Sequence, residues 1–355
     1  MQPNRLKAFL ATCAAACGAL AGPAAAQEID ILLSVKFVND ANGNRPPGAW
    51  SSEANLVALV DDMNTVLDRL GRGYRYVLAE TLDVCSTPGS PVCGASAGFF
   101  DLGPEEFKDL ELAAEAAPSV YHWRTWATNV YVVNSAHEGG GLAPIASNPS
   151  DAGYELVVIT AGTHATLWIH ELGHHFNLHH TFGEDLVADT KSDPESTCTV
   201  AFGCTNGGNL ECCCPTKLAN LAAEGHSPTD YHNLLYNIMS YYGAQDCIGL
   251  IQPPHDWPTI LFTDGQLDRW SDATRFYAQL QGEVTGFTYF VDKSWGGASN
   301  GYSTGPYKTI ATGLASAAAV PGNILLVRSG AYAENLTLSA PVTLRASKGA
   351  VTIGQ

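Results

Sequence analysis

Apolar residues recur at two different periods along this chain, and the change from one to the other marks its elements. From Glu53 to Leu70, the residues Leu56, Val57, Leu59, Val60, Met63, Val66, Leu67 and Leu70 return every three or four positions, which predicts an amphipathic helix. Ile29 to Val38 alternates and is rich in branched residues, so it reads as a strand, followed by an Asn/Gly/Pro loop over Asn39 to Gly48. Tyr74 to Leu78, Asn129 to Asn134 and Glu155 to Thr160 read as three further strands, the last directly ahead of a histidine-bearing helix. Strands and helices mixed in this order predict an α/β (α+β) domain with a twisted sheet packed against helices.

Past Phe287 the texture changes. A Gly/Ser/Asn-rich stretch from Trp295 to Gly305 leads into a predicted helix over Tyr307 to Ala319. Short apolar runs follow at Ile324 to Val327, Leu336 to Leu338, Val342 to Leu344 and Val351 to Ile353. Short strands separated by tight turns suggest stacked rungs, hence a second, small all-β domain over residues 287–355 after a first over residues 27–286. The stretch resembles the start of pectate-lyase-like right-handed parallel β-helix domains through Val291-Asp292, Pro306 to Ile310 and Gly330 to Asn335. With so few rungs before Gln355, an open apolar edge is expected there, one that belongs to a longer solenoid or is covered by something else.

The 355 residues leave room for two or three domains, and 46% apolar against 15% charged residues exclude a disordered chain. Arg5 and Lys7 precede an apolar run from Ala8 to about Ala21 and then Ala24, Ala25 and Ala26, which reads as a secretory signal over residues 1–26. That run is shorter than the roughly 20 residues of a membrane span, so export without an anchor is expected. No convincing lipobox precedes Cys13 or Cys17. Export leaves eight cysteines, Cys85, Cys93, Cys198, Cys204, Cys212, Cys213, Cys214 and Cys247, an even number that suggests disulfides. Cys85 and Cys93 flank a Pro/Gly turn and are expected to pair. The run Cys212 to Cys214 allows several connectivities and is too tight for an ordinary tetrahedral zinc site. The formal charge of −17, about −19 once Arg5 and Lys7 are removed, argues against nucleic acid or an anionic membrane as partner.

The chemistry is concentrated in Thr163 to Phe182, which reads T-H-A-T-L-W-I-H-E-L-G-H-H-F-N-L-H-H-T-F. Residues four apart on a helix share a face, so His170 and His174 can grip one ion, while Glu171 points about 100° away and can reach a metal-bound water. The spacing H-E-x-x-H-x-x-G-x-x-H of metzincins makes His180 the third zinc ligand, with a left-handed turn at the Gly position. Asn177 stands there, and Asn is the next most tolerant residue of positive φ. A thermolysin-like third ligand such as Glu195 is the rival. His175 and His179 read as surface or ligand-supporting residues, and His164 as structural. Downstream, Met239 within Asn237-Ile238-Met239-Ser240-Tyr241 looks like a Met-turn, an apolar floor under the metal, with Tyr241 supplying a phenol toward it.

His170 to Phe182, then Gly183 to Thr190, a Cys-rich loop, Asn237 to Tyr241, Cys247 and Phe262-Thr263-x-x-Gln266-x-x-Arg269 together resemble the pappalysin family of metzincin zinc metallopeptidases. The resemblance is strong from His164 to Trp270 and loose before that. It implies a zinc endopeptidase acting on proteins or peptides, with its cleft between an upper sheet subdomain and a lower, disulfide-rich one. It also implies calcium near the cleft, for which Asp185 and Asp189 are candidate ligands, and a disulfide from Cys247 to the loop Cys198 to Cys214. The expected mechanism uses Glu171 as general base and Tyr241 as oxyanion donor, with the substrate extended along an edge strand near Gly141 to Ala146. A rival of another class is a secreted or surface protein that binds polysaccharide, or another surface, through the β-helix, with a vestigial protease domain. A polysaccharide lyase is disfavoured because the rungs are too few to form a cleft.

Overall fold

The computed structural model describes residues 28–85, 89, 91–103, 106–137, 140–145, 155–181, 186–190, 237–239, 261–318, 320–338 and 341–354. In chain order its elements are β1 (Ile29–Phe37), α1 (Glu53–Leu70), β2 (Tyr74–Asp83), α2 (Pro91–Ser96), β3 (Asp101–Leu102), α3 (Glu106–Ala116), α4 (Pro118–Tyr121) and β4 (Thr128–Val133). Next come β5 (Ser135–Ala136), β6 (Gly141–Leu142), β7 (Leu156–Thr160), α5 (Ala165–His175), α6 (Asp264–Phe276), α7 (Ala278–Gln281), β8 (Thr288–Val291), α8 (Ile310–Ala317), β9 (Ile324–Tyr332) and β10 (Thr343–Ile353). The expected signal segment lies outside the described residues. Among these helices none is long and apolar enough to cross a membrane.

The main sheet has the order β2-β1-β4-β7-β6. Its first four strands are parallel, and β6 runs antiparallel to β7 with Gly141 opposite Ile159 and Leu142 opposite Val158. Successive side chains of a strand point to opposite faces. Val130, Val132, Val157 and Ile159 accordingly enter one core with Leu56, Met63, Trp168, Leu172 and Trp270, whereas Tyr131, Val133, Leu156 and Val158 enter another with Leu110 and Ala114. The sheet is thus sandwiched between α1, α5 and α6 on one side and α3 on the other, which is why β4 and β7 are buried throughout. Each fully buried Val or Ile contributes about 1.5–3 kcal/mol.

Helix α1 spans the predicted residues and stops where Gly71 turns left-handed at φ 69°. One charge lies inside this framework. Lys36 of β1 is fully buried and donates to Asn129 Oδ1 at 2.6 Å and to the Ser34 carbonyl at 3.0 Å. Burial pushes its ammonium well below the usual lysine range, partly offset by Glu80. Cys85 and Cys93 form the expected disulfide, with Cα atoms 5.0 Å apart.

In the C-terminal segment β8, β9 and β10 form one parallel sheet in the order β10-β9-β8 over a small core of Val291, Ile310, Leu325, Val327 and Tyr332. The expected rungs need correction. Leu336 to Leu338 belongs to no strand, and the runs at Val342 and Val351 are one strand, β10, interrupted by a bulge between Ser347 and Val351. Lys348 and Gly349 take positive φ at that bulge, which broke the apolar pattern into two. Three parallel strands in one sheet do not by themselves make a solenoid.

Candidate metal centre

Helix α5 follows β7 after a four-residue link. Trp50 fixes its start, donating from Nε1 to the Thr163 carbonyl at 2.7 Å and packing edge-on against Trp168. His170, Glu171 and His174 are all buried on it. After His175 the helix ends at a Schellman turn: Asn177 N–H donates to His174 O at 2.8 Å, Leu178 N–H donates to Gly173 O at 2.9 Å, and Asn177 sits at φ 70°. For an L-residue that conformation costs about 1 kcal/mol, less for Asn, whose side chain can bond locally. The reversal brings His180 back over the helix face.

The Nε2 atoms of His170 and His174 lie 3.1 Å apart, those of His174 and His180 3.0 Å, and those of His180 and His170 3.3 Å. His170 Nδ1 contacts the Ile238 carbonyl at 2.6 Å and His174 Nδ1 the Leu178 carbonyl at 2.7 Å. A carbonyl only accepts, so both rings carry their proton on Nδ1 and turn bare Nε2 lone pairs toward each other and toward His180. Lone pairs this close repel unless a cation lies among them. Three nitrogens bound to one zinc at about 2.0–2.1 Å with tetrahedral angles would be roughly 3.3–3.4 Å apart. The triangle fits such an ion, and imidazole donors suit zinc rather than calcium, which takes oxygen ligands.

Electrostatics agrees. Burial lowers His170; burial, reinforced by His170 and His180, lowers His174 well below the ordinary range; burial and His170 bring His180 down to about 3. All three are neutral near pH 7, the form that can ligate a metal.

The segment predicted as a Met-turn packs against α5 at Gly173, next to His174 in the chain. Met239 is fully buried, and a Cβ built on Gly173 would come within 2.7 Å of its Sδ. Gly173→Ala is therefore expected to cost about 1–3 kcal/mol through overpacking, read as a lower denaturation midpoint, while the volume-conserving Met239→Leu costs less than about 1.5 kcal/mol. The turn is held from α6. Thr263 and Gln266 form a capping box, and Gln266 Oε1 also accepts from Asn237 Nδ2 at 2.8 Å, while Asn237 Oδ1 accepts from the Met239 N–H at 2.9 Å. This places the Ile238 carbonyl that fixes His170.

Glu171 lies against the edge strand, since a Cβ on Gly141 would fall 2.9 Å from its Cγ and 3.2 Å from its Oε1. Gly141 is thus required for the carboxylate to sit beside β6. His175 departs from a surface reading: it is buried, and its Nε2 meets Glu283 Oε2 at 2.7 Å, an oxygen that also accepts from Thr128 Oγ1 at 2.5 Å. It ties the end of α5 to the sheet and to the segment after α7. Asp189 receives the Thr263 hydroxyl and the Gly265 N–H, both at 2.9 Å, so its carboxylate caps α6. Asp185, Tyr241, Glu195 and the cysteines Cys198, Cys204, Cys212, Cys213, Cys214 and Cys247 lie outside the described residues. Sequence reasoning placed Arg269 in a motif but not its grip on Asn177, and it overlooked Glu283; each is far along the chain from its partner.

No family model matches the chain, and comparison with curated proteins gives no match. Among solved structures, mirolysin in complex with a small compound is 16% identical with a TM-score of 0.38, and mature mirolysin of Tannerella forsythia with a cleaved peptide is 16% identical with a TM-score of 0.40. Each alignment covers 72% of this chain and 96% of the other. So slight a likeness adds nothing to the fold or the chemistry, both of which stand on the residues above.

Proposed function

We propose that this chain is an exported zinc-dependent endopeptidase of the metzincin type, with His170, His174 and His180 as ligands and Glu171 as general base. The observation that carries the reading is the triangle of three neutral imidazole nitrogens 3.0–3.3 Å apart, two of them oriented by backbone carbonyls, next to a buried glutamate. Zinc, when bound, would polarise water and the scissile carbonyl. Glu171 then accepts the proton of the attacking water and passes it to the leaving amine. An extended substrate pairs with β6, whose outer edge has no neighbouring strand among the described residues. Tyr241 hydrogen-bonds the oxyanion, Asp185 and Asp189 are the calcium candidates, residues 1–26 direct export, and residues 287–355 begin a β-helix domain.

The test is removal and return of metal. Casein cleavage by the purified chain is expected to stop with 1,10-phenanthroline and to recover with equimolar zinc. Cleavage that continues in the chelator overturns the reading.

A further inference from the structure

Helix α6 grips the one turn on which the third ligand depends. The Schellman bonds use the N–H groups of Asn177 and Leu178 but leave the carbonyl and side-chain oxygens of Asn177 to be satisfied by another element. Arg269 of α6 supplies both partners: its Nε donates to Asn177 O at 2.6 Å and its Nη2 to Asn177 Oδ1 at 2.9 Å. A planar guanidinium presents two parallel N–H groups at fixed spacing, so it fits two oxygens of one residue and fixes the backbone and side chain together. The neighbouring residues repeat the contact in apolar form. Trp270, next to Arg269, stacks on Phe176, next to Asn177, with ring centroids 4.7 Å apart and planes 7° from parallel.

From this geometry we infer that Arg269 is a positioning residue for the metal site, clamping the left-handed turn at Asn177 so that His180 completes the triangle. The inference rests on the zinc reading above and goes beyond it. It also explains why Asn stands where a turn of this kind favours Gly. Glycine would give the fork one acceptor, whereas asparagine gives it two and still tolerates positive φ. Only Leu178 and His179 separate the clamped residue from His180, so slack in the turn reaches the ligand directly. Through Gln266 and Asn237 the same helix holds the carbonyl that orients His170, so α6 braces two of the three ligands.

The test measures zinc affinity of the full chain by competition with a chromophoric chelator, with folding checked by circular dichroism. Arg269→Ala is expected to weaken zinc binding by about 10–100-fold, the usual effect of losing a group that orients a ligand. Arg269→Lys keeps the charge but not the fork, and is expected to recover only part of the loss. Asn177→Gly should weaken binding less than Arg269→Ala, and the double variant should be no weaker than Arg269→Ala alone, because both changes break one clamp. In a His180→Ala background, Arg269→Ala should change affinity less than about 3-fold. Folded Arg269→Ala or Arg269→Lys protein that binds zinc as tightly as the parent overturns the clamp. So does a loss of equal size in the His180→Ala background, which would mark a general structural role. If Arg269→Ala does not fold, Arg269→Lys and Asn177→Gly decide the matter by the same comparison. A parent protein that holds no zinc overturns the zinc reading, and the clamp's role with it.

Discussion

Glu171→Gln is expected to leave one zinc per chain in place and to lower peptide cleavage by about 10²–10⁴-fold, the usual contribution of a positioned general base. The substitution suits the site. Glu171 is buried beside Gly141, and Gln has the same shape, so it fills the same space without disturbing β6. What it loses is the ability to take a proton from water and give it to the leaving amine. The variant should therefore show a fall in kcat with zinc content unchanged, measured by metal analysis and a quenched peptide substrate. A variant that cleaves as fast as the parent shows that Glu171 is not the base.

His174→Ala should act on the metal itself. His174 is the nitrogen nearest both of the others, 3.1 Å from His170 and 3.0 Å from His180. Removing one of three protein ligands from a site worth roughly 10–16 kcal/mol should weaken zinc by about 10³-fold, so that dialysed protein retains almost none. The change also strips the Leu178 carbonyl of its donor, which costs about 1–3 kcal/mol of stability if the acceptor stays buried. Cleavage should fall to background. His179→Ala is the control, since its ring is not among the three converging nitrogens, and it should hold zinc within about 3-fold of the parent. Equal zinc content in His174→Ala and the parent would place the metal elsewhere.

What could be read from the sequence was what local periodicity carries. Helix α1 shows a full apolar stripe and a Gly stop. His170 and His174 are four apart, and β4 and β7 are nearly unbroken apolar runs because helices cover both their faces. Periodicity weakened where burial did. The half-exposed end of β2, from Ala79 to Asp83, lacks alternation, and the bulge in β10 divided one strand into two. Partners distant in sequence were not legible at all. Nothing local to Asn177 announces Arg269, 92 residues on, and nothing near His175 announces Glu283, 108 residues on. Arg269 was seen only as part of a motif, without its function, because a hydrogen-bond fork has no sequence period.

X-ray absorption at the zinc edge of the purified full chain gives the decisive reading. Expected are one zinc per chain and three imidazole nitrogens with one oxygen at about 2.0–2.1 Å. Stoichiometric zinc held by sulfur at about 2.3 Å, or protein that retains no zinc, would contradict the three-histidine site.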